Sequence, residues 1–130
     1  MVNASKTNSG ILVTGLGILG FAFSALTSPQ ASRNIEFFES RIRPILTQDC
    51  YECHQSDGVQ KGGLVLDHRE ALLKGGNSGP AIIPGNPEQS LLIQAIRHMS
   101  SDLEMPKSGA PLEPSVVRDF ETWIRKVGRK

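Results

Sequence analysis

The sequence predicts an all-α fold with about three main helices and long loops. Three observations carry that expectation. Apolar residues recur at helical spacing in three separate segments, residues 34–50, 87–99 and 115–127. The stretches between them are punctuated by glycine and proline, including Gly62, Gly63, Gly75, Gly76, Gly79 and Gly85. Only "LVLD", residues 64–67, suggests a short extended piece, so almost no sheet is expected.

The first segment, "NIEFFESRIRPILTQDC", offers Asn34 as N-cap, with Glu36 and Glu39 suited to the positive end of the helix. Phe38, Ile42, Ile45 and Leu46 form its apolar stripe, and Pro44 is expected to kink or restart it. "HREALLK" predicts about two helical turns. Asn86-Pro87, with Gln89 at capping-box spacing, opens "PEQSLLIQAIRHM", whose Leu91, Leu92, Ala95 and Ile96 should face inward. In the last segment Val116, Val117, Phe120, Trp123, Ile124 and Val127 share one side, and Gly128 stops the helix.

At 130 residues the chain holds one domain plus a leader or tail. Residues 1–31 read as that leader. Lys6 precedes an uncharged apolar run, Ile11 to Leu26, followed by small and polar residues. This is the order of a secretory signal peptide, with small residues at Ala22-Phe23-Ser24 or at Ala31 marking candidate cleavage sites. An uncleaved N-terminal membrane anchor is the alternative, although the run is shorter than the ~20 residues of a usual spanning helix. Either reading exports residues 32–130, to the periplasm or its equivalent. That remainder carries 13 basic against 13 acidic side chains, with no basic stripe, so no nucleic-acid partner is expected and membrane contact comes only through the leader. Aromatic residues are sparse at 5%, so few large rings fill the centre and a bound apolar cofactor has volume to supply, although many aliphatic cores manage without one.

"CYECH", residues 50–54, contains both cysteines of the chain. A zinc site needs about four ligands, and His68 and His98 lack paired spacing. A thiol–disulfide exchange motif expects a βαβ setting, whereas a helix precedes this one. A disulfide between Cys50 and Cys53 is reasonable in an exported chain and would be preferred for a bare C-x-x-C. The following His54 changes that balance, because C-x-x-C-H is the attachment signature of c-type haem. Two intervening residues let one helical turn present both sulfurs to the vinyl edge of a porphyrin, and the next residue directs its imidazole at the iron. A second axial ligand is then sought among methionines. Met105 lies in the irregular loop "LEMPKSGAPL", fixed by Pro106 and held by the final helix. Met99, His98 and an open site are the alternatives; for Met99, at a helix end, packing is the expected role. His68 and His98 read as surface or partly buried side chains. Arg97 could reach a haem propionate, though a solvated face is the commoner fate, and Phe120 and Trp123 are expected to pack on the first helix and the haem edge.

Together "FFESRIRPILTQDCYECH", "GGLVLDHREALLKGGNSGPAIIPGNPEQSLLIQAIR" and "MP" before "FETWI" resemble the planctomycete-type cytochrome c domain, over about residues 35–128. The resemblance implies a class I-like all-α cytochrome c fold around one covalent haem c. It assigns Cys50 and Cys53 to the two thioethers, His54 to the proximal position and Met105 to the distal one. Lys107 stands where the family often has a second proline, which weakens the rigidity of the Met105 loop. The family's module usually opens a longer polypeptide, so the chain is either a stand-alone carrier or a truncated or split version of a larger protein. The implied function is that of a mono-haem electron carrier outside the cytoplasm, meeting redox partner proteins transiently and without catalysis of its own. A haem module of a larger or split oxidoreductase, a redox sensor, a peroxidase-like enzyme and a disulfide-stapled interaction domain without haem are the competing readings.

Overall fold

The first helix starts at Pro29 rather than after Asn34. Ser28 is extended and its hydroxyl accepts the Ala31 N–H at 3.2 Å, while Pro29 supplies a preset φ at the first helical position. This pair is the stronger start signal, and Asn34, Glu36 and Glu39 consequently lie inside the helical stretch. The computed structural model describes residues 28–107 and 109–127; the apolar run Ile11–Leu26 and Gly128 lie outside the described residues. No described helix is long and apolar enough to cross a membrane.

Helix α1 (Pro29–Phe37) continues without a break through a π-helical turn at Phe38–Ile42, the short α2 (Arg43–Ile45) and a second π-helical turn at Leu46–Cys50. Pro44 explains the first widening. It has no N–H for the carbonyl four residues back, and its ring would crowd that carbonyl. The Arg43 N–H instead bonds the Phe38 carbonyl, five residues back, which relieves the ladder without a break. Glu39 and Arg43 pair on the exposed side through two hydrogen bonds of 2.5 and 2.7 Å. Ile42 and Leu46 are completely buried, with Phe38 and Ile45 half-buried beside them, so the predicted apolar stripe faces the core.

Helix α3 (Arg69–Lys74) is the short helix expected from "HREALLK". The segment opened by Asn86-Pro87 is not one helix. Pro87–Gln89 forms a single 3-10 turn, Ser90 is extended, and α4 runs only from Leu91 to Ile96. Asn86 makes no side-chain cap. The cause is Ser90, whose buried hydroxyl accepts the Ile83 N–H at 2.9 Å and donates to the Asn86 carbonyl at 2.8 Å. That local network holds Ser90 out of helical geometry. Helix α5 (Pro114–Val127) buries Val117, Phe120, Trp123 and Ile124, as its stripe predicts.

The core forms where α5 crosses the first helical stretch and α4, with Leu66, Leu72, Ala81 and Ile82 from the intervening loops closing it. The Trp123 ring packs on Phe38 at 5.4 Å between centroids and meets Phe120 edge-on at 6.1 Å. Among the described residues there is no β-strand; "LVLD" joins no ladder, and His54–Gln60 and Gly76–Gly79 form isolated bridges.

Candidate cofactor site

The first helical stretch ends at Cys50, and its last turn sets the site. The Tyr51 N–H bonds the Leu46 carbonyl at 2.9 Å. The chain then tightens: Cys53 N–H bonds the Cys50 carbonyl at 3.1 Å, and His54 N–H bonds the Tyr51 carbonyl at 3.3 Å. One compact turn therefore carries Cys50, Cys53 and His54. Main-chain bonds from Lys61 to Cys53 (3.0 Å) and from Leu66 to His54 (2.9 Å) lock this turn against the following loop.

His54 is only 7% exposed. Its Nδ1 lies 3.3 Å from the Leu64 carbonyl. A carbonyl can only accept, so Nδ1 carries the proton in this contact and Nε2 is the ring nitrogen that it leaves unengaged.

A cavity of about 270 Å³ opens beside the turn. Cys50, His54 and Met105 all line it, although Met105 is 51 residues beyond His54 in the chain. The walls are aliphatic: Leu64 and Leu66 from the loop, Leu92, Ala95 and Ile96 from α4, and Leu112 before α5. Lys61, Asn77 and Ser78 add polar groups. Cys53 is half-buried and does not line the cavity. Both cysteines are free thiols. Burial pushes the Cys50 thiol up to about 12, and the neighbouring Asp49 carboxylate adds to the shift, so this sulfur is protonated at neutral pH.

Met105 reaches the cavity because its main chain is fastened to the end of α4. Its N–H donates to the Ala95 carbonyl at 3.1 Å, and its carbonyl accepts from His98 Nε2 at 3.0 Å. The Met105–Pro106 peptide bond is cis.

Several expected placements differ. Met99 is 64% exposed rather than packed, because the chain reverses direction just before it. Arg97 does not line the cavity; its guanidinium is taken by Glu88 and Glu121. Phe120 and Trp123 pack on the first helical stretch as expected, but neither borders the cavity. Trp123 instead lines a second cleft with Phe38 and Leu72. The walls contributed by Leu64, Leu66 and Leu112 carried no sequence signal of a site. The Ala95 and Ile96 walls did, through the inward stripe of α4.

The segment from Cys50 to Gly109, which includes the C-x-x-C-H motif, most of the cavity wall and Met105, matches the family model of planctomycete cytochrome C. The match spans 60 of the chain's 130 residues. The match agrees with the resemblance carried by the sequence motifs and with the all-helical architecture. No curated protein sequence and no solved structure matches the chain. Similarity to a cytochrome c family implies haem c as the cofactor, and the lining of the cavity fits such a group. Its lining is mainly aliphatic, it contains a buried imidazole whose Nδ1 is held by the Leu64 carbonyl, and a thioether sulfur and a thiol border the same space.

Proposed function

We propose that this chain is a cytochrome c of the planctomycete type, a mono-haem electron carrier acting outside the cytoplasm. Cys50 and Cys53 would hold the haem through two thioethers, and His54 and Met105 would ligate its iron. The observation that carries the reading is the convergence of Cys50, His54 and Met105 on one apolar cavity, with His54 Nδ1 held by the Leu64 carbonyl. The haem would supply a one-electron ferric–ferrous couple.

The chain's own residues account for the rest. The Leu64 carbonyl orients the His54 ring and raises its basicity as a donor. The pinned Met105 main chain presents a thioether, a soft ligand whose pairing with histidine raises a haem potential. Leu64, Leu66, Leu92, Ala95 and Ile96 exclude water, which favours the same ligation in both oxidation states. The leader-like residues 1–31 support export to the periplasm, and redox partner proteins would dock transiently.

The test is to produce the full chain in a host that attaches haem c, then record its mass and its oxidised and reduced spectra. The expected result is one haem added per chain, retained after denaturation, with a weak far-red ferric band that Met105→Ala removes. A chain without haem, from a host that loads a control cytochrome, overturns the reading.

A further inference from the structure

The loop that brings Met105 to the cavity begins with a residue in an unusual conformation. His98 has φ +53°, the only non-glycine residue with positive φ among the described residues. It follows α4 at the position where helices commonly turn into the left-handed region. The bonding pattern there is that of a glycine-type helix stop: His98 N–H to the Ala95 carbonyl at 3.1 Å and Met99 N–H to the Gln94 carbonyl at 3.1 Å. Glycine adopts this backbone without penalty, and a side chain does so at a cost. The turn alone therefore does not account for histidine.

The imidazole does account for it. His98 Nε2 lies 3.0 Å from the Met105 carbonyl. The Ala95 carbonyl, already bonded to the His98 N–H, also accepts the Met105 N–H at 3.1 Å. The two sides of the Met105 main chain are thus tied to the same turn of chain, one through the backbone and one through the His98 ring.

We propose that His98 is a positioning residue that holds the Met105 thioether in the cavity by donating Nε2–H to the Met105 carbonyl. The inference rests on the reading of Met105 as an iron ligand. It assigns His98 no contact with the iron, since its Nε2 is engaged by the carbonyl.

The test uses the exported, haem-loaded full chain with three variants. His98→Gly keeps the helix stop and relieves its backbone strain while removing the donor. His98→Gln restores a donor on a neutral side chain. Met105→Ala reports what loss of the ligand looks like. The readouts are the far-red ferric band, the carbon monoxide affinity of the ferrous form and the melting temperature. His98→Gly should match or exceed the parent in melting temperature, yet weaken the band and raise carbon monoxide affinity about tenfold, or about 1.4 kcal/mol. His98→Gln should recover most of the band. If the parent shows a Met105-dependent band and His98→Gly leaves both band and carbon monoxide affinity unchanged, His98 is only a helix stop and this inference falls alone. If the parent lacks any band that Met105→Ala removes, the ligand assignment falls and this inference with it.

Discussion

Arg97 and Glu121 join α4 to α5 through a 2.7 Å contact, although they stand 24 residues apart in the chain. The same guanidinium binds Glu88 at 2.6 Å, so one side chain bridges the loop before α4, α4's end and α5. Glu121 is 12% exposed and Arg97 30%, which places the pair between a surface ion pair and a buried one. Arg97→Ala strands Glu121 with Arg125 at 3.5 Å as its remaining partner. The expected cost is about 1–2 kcal/mol, read as a lower melting temperature, with the haem spectrum of the loaded protein unchanged. A spectral shift without loss of stability would instead return Arg97 to the propionate role.

Asp67 ties the loop after His54 to the start of α3. Its Oδ2 accepts the Ser56 hydroxyl at 2.6 Å and the Ser56 N–H at 3.0 Å. Burial opposes its charge, but the Ser56 hydrogen bonds outweigh that and hold the carboxyl below its ordinary value of 3.8. A carboxyl whose pKa is lower in the folded chain stabilises the fold above the ordinary value, and that contribution disappears as pH falls through the folded value. Asp67→Asn should therefore destabilise the domain at neutral pH, and the difference from the parent should shrink as pH drops below 3.8. Urea unfolding across pH 7 to acid checks this; a gap that stays constant would mean the loss is packing and not ionisation.

The helical stripes of the first segment and of α5 were legible because burial imposes a period that local sequence displays. The fold brings Cys50, His54 and Met105, which the sequence singles out for their chemistry, to one cavity. What the sequence concealed has a common cause, which is that each feature depends on a competing partner. Ser28-Pro29 outcompetes Asn34 as a start signal. The buried Ser90 hydroxyl splits a segment that periodicity alone would make one helix. Arg97 turns away from the cavity because two carboxylates distant in sequence claim it. The reach of His98 to Met105 requires a left-handed turn that local pattern assigns to glycine.

Gly75 closes α3 in a backbone conformation, φ 74° and ψ −165°, that is open almost only to glycine. A Cβ there would stand 1.8 Å from the Gly79 carbonyl oxygen. The neighbouring Gly76 and Gly79 line the cavity, so a shift of this turn moves its wall. Gly75→Ala should cost at least about 2 kcal/mol, the strain of such a backbone with the steric conflict added. Gly58→Ala is the matched control, with nothing within 4 Å of its Cβ and no positive φ; it should change stability by no more than about 0.5 kcal/mol. Equal effects from the two substitutions in thermal unfolding would refute the steric account.

The contact between His54 Nδ1 and the Leu64 carbonyl makes a prediction about which end of the ring is used. With Nδ1 donating, Nε2 is the nitrogen available to the cavity. In the haem-loaded chain His54→Ala should convert the spectrum from low-spin to high-spin while leaving the mass of any attached haem in place, since Cys50 and Cys53, and not His54, are the residues proposed to hold it covalently. Added imidazole should restore the low-spin spectrum by entering the space the ring vacates. Nitrogen-15 labelling of histidine then discriminates the tautomer in the parent: the Nδ1–H proton should persist against exchange, because the ring is buried and that hydrogen bonds inward to Leu64. A low-spin spectrum surviving in His54→Ala without imidazole would show that another side chain ligates the iron, and the placement of His54 beside the cavity would then be a matter of packing alone.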